Sequence, residues 1–84
     1  MTKATTKRIA KLFGELCAWC GLEPVNMPYV ERGEALHLVC RMPGASTLHG
    51  VIELPTTLRG NQAERAIRAE FSEMLTKLRE AVAA

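Results

Sequence analysis

The apolar residues of the first segment fall at Ile9, Leu12, Phe13, Leu16, Cys17 and Cys20, in steps of 3, 1, 3, 1 and 3. That spacing keeps one side of a 3.6-residue helix facing inward and predicts a helix from about Thr5 to Cys20. Gly21 stands just past the last inward position, where a glycine ends a helix, and Pro24 keeps the helix from restarting. Glu23 to Met27 then reads as a connector, and Pro28-Tyr29-Val30-Glu31 as a short first strand. At Ala35 the period changes to two. Leu36, Leu38, Cys40 and Met42 take one side and His37, Val39 and Arg41 the other, which is the pattern of a half-buried strand. After the turn signal Pro43-Gly44-Ala45-Ser46, Leu48, Gly50, Ile52 and Leu54 alternate with His49, Val51 and Glu53, completing an antiparallel hairpin that Pro55 ends. The last segment opens with Asn61 and Glu64, close to a capping box, and Ile67, Phe71, Met74, Leu75, Leu78 and Val82 recur at helical spacing. Glu64 with Arg68 and Glu73 with Lys77 form i,i+4 pairs on it.

Two amphipathic helices flanking a meander of two or three strands bury their stripes by lying together on the apolar face of the sheet. The expected fold is α+β, a two-layer α-β-(β)-β-α sandwich with an antiparallel sheet, formed by residues 1–84 as one domain. Its other sheet face, with His37, Val39, Arg41, His49, Val51 and Glu53, is left to solvent or a partner.

Composition narrows the classes. With 84 residues, 48% hydrophobic and 24% charged, the chain is an ordinary small globular domain, and its apolar runs are too short to cross a membrane. Its basic N-terminal residues precede no apolar signal region, so a cytoplasmic location is expected. Three cysteines, an odd count, argue against a disulfide framework. The net charge is only +2, but residues 1–14 carry Lys3, Lys7, Arg8 and Lys11 without an acid. The remaining seven bases stand against nine acids, all glutamate.

Cys17-x2-Cys20 followed by His37-x2-Cys40 has the two-residue gaps of a metal site. The periodicity opposes it, because Cys17 and Cys20 belong to the core side of a helix while His37 and Cys40 point to opposite faces of a strand. The three thiols are read as small buried hydrophobes, and no metal or cofactor is expected. A redox role for the CxxC is discounted too, since that motif works at a helix N-terminus and this one sits at a C-terminus. His37 and His49 share a face and become cross-strand neighbours in some registers, with Glu53 nearby. No nucleophile, phosphate loop or carboxylate pair accompanies them, so no catalytic residue is assigned and the chain is read as non-enzymatic.

The outward helix faces carry more information. Arg8, Lys11, Glu15 and Trp19 share a stripe of the first helix, and Arg65, Arg68, Ser72, Thr76 and Arg79 cluster on the second. Guanidinium forks interleaved with hydroxyls suit phosphate contacts. Trp19, on the border of the apolar stripe, either lids the core or anchors an interface. Two functions follow. One is duplex nucleic-acid binding through Arg8, Lys11, Arg65, Arg68 and Arg79 on phosphates. The other is a protein-interaction or inhibitor module, of phage type, which acts on a nucleic-acid-handling complex through Trp19, His37, Val39, Arg41, His49 and Val51. An unpaired strand edge also allows a homodimer.

Leu12-Phe13-Gly14-Glu15-Leu16 followed by Gly21-Leu22-Glu23-Pro24 resembles the first helix and exit of the double-stranded-RNA-binding domain, and the likeness of element order spans roughly residues 9–80. The resemblance implies that Glu15 reaches ribose hydroxyls and that the module spans two minor grooves and the phosphates between them. The chain departs from that family at Asn61-Gln62-Ala63-Glu64-Arg65, where the family has a lysine cluster, and at Arg32-Gly33-Glu34-Ala35, where it has a Gly-Pro-x-His loop.

Overall fold

The computed structural model describes residues 1–25, 29–31 and 35–83, with 29–31 and 45–47 described by their backbone alone. Asn26, Met27, Pro28, Arg32, Gly33, Glu34 and Ala84, on which parts of the sequence reading fall, lie outside the described residues.

Helix α1 spans Lys3–Trp19 and starts earlier than its apolar stripe, because Thr2 caps it. The Thr2 hydroxyl accepts from the Thr5 N–H at 3.1 Å and the Thr2 carbonyl from the Thr6 N–H at 2.9 Å, satisfying two otherwise orphaned donors. At the other end Gly21 takes a φ of 70°. The Leu22 N–H returns to the Cys17 carbonyl at 2.8 Å and the Gly21 N–H to that of Ala18 at 3.4 Å. This is a Schellman ending, and its hydrophobic contact is supplied by buried Leu22.

The connector expected after it is already strand. β1 (Glu23–Pro24) pairs with Arg41 and Cys40 of β3 (Ala35–Met42), and the Val25 N–H donates to the Val39 carbonyl. β2 (Tyr29–Glu31) continues along the same edge of β3, with Tyr29 opposite His37. From Glu23 to Tyr29 the edge advances six residues while β3 advances four, so the two short strands are one interrupted edge. β4 (Ala45–Pro55) flanks the other side of β3, making an antiparallel sheet three strands wide. The hairpin turn is tighter than expected. Pro43 and Gly44 alone make it, Gly44 with a φ of 80°, and the misfit is absorbed between Arg41 and Met42, where four steps of β4 span one step of β3.

Helix α2 spans Gly60–Ala83. Its cap is not Asn61 with Glu64. Arg59 takes the cap position, its N–H donating to Gln62 Oε1 at 3.2 Å and its carbonyl accepting from the Ala63 N–H at 2.7 Å. The helices run parallel, since the Met1 amino group donates to the Thr56 carbonyl just ahead of α2, Arg8 meets Glu64, and Phe13 packs edge-on against Phe71 with ring centres 6.0 Å apart. Ile9, Phe13 and Cys17 of α1, Ile67, Phe71, Met74 and Leu78 of α2, and Leu36, Leu38, Cys40, Ile52 and Leu54 of the sheet form one core. Burying each large side chain contributes about 1.5–3 kcal/mol. Val82, expected inward, is exposed because it falls on the last turn of α2, beyond the core cluster that ends at Leu78. The architecture is the expected α+β sandwich in α-β-β-β-α order.

Candidate nucleic-acid interface

The parallel helices leave a shallow outward groove lined by Arg8, Lys11, Leu12 and Glu15 of α1 and by Glu64 and Arg68 of α2. Leu12 is half-buried and forms its apolar floor, because it sits at the edge of the stripe that α1 turns toward the core. Four of the six residues expected to touch nucleic acid are thus brought together from separate helices. Arg65 lies one turn before Arg68 and Arg79 three turns after it; both are exposed, and neither lines the groove.

Charge in the groove is partly compensated. Arg8 Nη2 stands 2.6 Å from Glu64 Oε1. Glu64, expected to pair with Arg68 along its own helix, reaches across to α1 instead, while Glu73 and Lys77 do pair, at 3.8 Å. No ion pair among the described residues holds Lys11, Arg65, Arg68 or Arg79. A cation without a carboxylate partner needs no exchange of partners to bind an anion. The role of Glu64 is not legible from spacing, since only the parallel alignment of the helices places it beside Arg8.

The outer face of the sheet is organised in rows by the register. Val25, Val39 and Val51 lie side by side across all three strands. One neighbouring row holds Glu23, Arg41 and His49, with Arg41 Nε 2.9 Å from Glu23 Oε2. The other sets His37 opposite Glu53, Nδ1 to Oε1 3.5 Å. His37 and His49 are therefore not neighbours, since Arg41 faces His49 and three residues lie between His37 and Arg41 along β3. Val25 was missed because Pro24 disguises the strand that carries it. Trp19 is no lid: it is 71% exposed on the last turn of α1, on the helix side of the sheet.

The cysteines divide two and one. Cys17 and Cys40 are fully buried in the core, and Cys40 Sγ lies 3.7 Å from Met74 Sδ. Cys20, at the helix cap, is half-buried rather than inside the core. Interaction with the Cys40 side chain, reinforced by burial, holds the Cys17 thiol far above the ordinary thiol range. Cys17 is thus a neutral packing group at physiological pH, not a nucleophile. His37 belongs to the opposite sheet face, and no three His, Cys, Asp or Glu side chains converge among the described residues.

No family model, curated protein or solved structure matches the chain. The likeness to double-stranded-RNA-binding domains therefore rests on element order, which the structure has, and on the residues around Glu15.

Proposed function

We propose that this chain is a non-enzymatic module that binds duplex nucleic acid along its paired helices, in the cytoplasm. The observation that carries the reading is that Lys11 and Arg68, unpaired, face each other across one groove, with Arg65 and Arg79 extending the positive stripe along α2. These four take phosphates, and Glu15 beside them is placed for the ribose contact that the family resemblance implies. A second reading, a protein-interaction or inhibitor module, is favoured by the valine row, exposed at Val25 and Val51, and by Trp19. The two separate in one experiment. Labelled duplex RNA and DNA are titrated with the wild-type chain, with Arg65→Glu/Arg68→Glu, and with Val39→Thr/Val51→Thr. Loss of binding in the first variant alone supports the helix groove. Loss in the second alone, or no binding to either duplex at low salt, overturns it in favour of the sheet face.

A further inference from the structure

The longest strand, β4, has an outer edge with no partner among the described residues. Which of its backbone groups face outward follows from one hydrogen bond. Because the Val25 N–H donates to the Val39 carbonyl, the odd-numbered residues of β3 turn their polar groups toward β1 and β2, and the even-numbered ones toward β4. Val39 faces Val51 in the register, so His49, Val51 and Glu53 have their N–H and C=O groups directed away from β3. The register irregularity of β4 lies at its turn end, before His49, so it does not interrupt the edge formed by His49, Val51 and Glu53. Between Ala45 and Pro55 there is no lysine or arginine, and proline occurs only at the final position.

We infer that this edge pairs with the same edge of a second copy, antiparallel about a two-fold axis at Val51. That register alone uses all three outward residues. It sets Val51 against Val51 and His49 against Glu53 of the second copy twice over, two complementary pairs. Centring on His49 or Glu53 would oppose like groups instead. The valine row then runs unbroken across both sheets, and a foreign strand would need to reproduce this pattern by chance. Beside the edge, α2 presents Glu70, Glu73 and Lys77 across an open cleft of about 290 Å³, so both charge signs flank the junction. The inference does not depend on the nucleic-acid reading.

Register-specific crosslinking tests it, in a Cys20→Ser background. Val51→Cys brings two thiols onto Cα atoms about 5.5 Å apart, within disulfide reach. Glu53→Cys leaves its two copies about 14 Å apart. Oxidation is expected to join Val51→Cys to itself, leave Glu53→Cys monomeric, and join Glu53→Cys to His49→Cys when the two are mixed. By sedimentation, His49→Glu is expected to weaken the wild-type dimer about tenfold by opposing two pairs of carboxylates, and the exchange His49→Glu/Glu53→His to restore it. His49→Glu faces Arg41 within its own sheet, so it keeps the fold. A wild-type chain that stays monomeric up to about 1 mM, or crosslinking that is equal at Val51→Cys and Glu53→Cys, overturns the inference.

Discussion

Replacing Gly50 by alanine tests how α2 seats on the sheet. Gly50 lies on the buried face of β4, where a Cβ would come 2.4 Å from Met74 Sδ, 2.8 Å from Met74 Cγ and 3.1 Å from Leu78 Cδ1. None of these is tolerable without movement. Methionine is the most adaptable of core side chains, but Met74 is nearly buried and its sulfur rests on Cys40 at 3.7 Å. Overpacking of this kind costs about 1–3 kcal/mol, of which a gain of about 0.5–1 kcal/mol from the stiffer unfolded chain is returned. Against a total of about 4–13 kcal/mol for a domain of this size, a net loss of about 1–2 kcal/mol moves the urea midpoint by about 1–2 M. Circular dichroism at the helical minimum is the suitable probe, since Trp19 is too exposed to report on the core. Met74→Ala alone costs about 2–5 kcal/mol through the cavity it leaves. The double variant Gly50→Ala/Met74→Ala is expected to lose less than the sum, because the new methyl group occupies part of that cavity. A neutral Gly50→Ala, or costs that add within about 0.5 kcal/mol, would refute the close approach of α2 to β4.

Two further outcomes follow from particular contacts. Glu64→Gln breaks only a mostly exposed ion pair, so stability changes by less than about 1 kcal/mol. It frees Arg8, however, and the salt dependence of duplex binding is expected to steepen by about one phosphate. For Cys17, the folded chain holds the thiol protonated while the unfolded chain releases the proton above its ordinary pKa of about 8.5. The unfolded state then binds fewer protons, and stability falls as pH rises past that value, by up to about 1.4 kcal/mol per pH unit from this group. Cys17→Ala should remove that part of the slope between pH 8 and 10 in urea titrations, and an unchanged slope would show that the thiol ionises freely in the fold.

Periodicity made the two helices, the hairpin and the shared core face legible, because each depends on residues within one element. Leu36, Leu38, Cys40, Ile52 and Leu54 are buried as their alternation requires. What the sequence hid depends on contacts between elements. β1 was obscured by Pro24, whose missing N–H argues against a central strand but is harmless on an edge. The cap of α2 falls on Arg59, a residue with no capping propensity of its own, because Gln62 supplies the hydrogen bond from the third helical position. In the candidate interface, Arg8, Lys11, Glu15 and Arg68 were identifiable as outward residues, while their convergence, and the withdrawal of Arg8 by Glu64, required the parallel packing of α1 on α2.

The central claim is that four unpaired cations on the helices bind duplex phosphates. Fluorescence anisotropy of a labelled DNA duplex, measured across a series of salt concentrations, tests it most directly. Four neutralised phosphates give a log–log slope of about −3.6, and Arg68→Ala should reduce it to about −2.7. A slope indifferent to Arg68, or affinity that does not change with salt, would contradict the account.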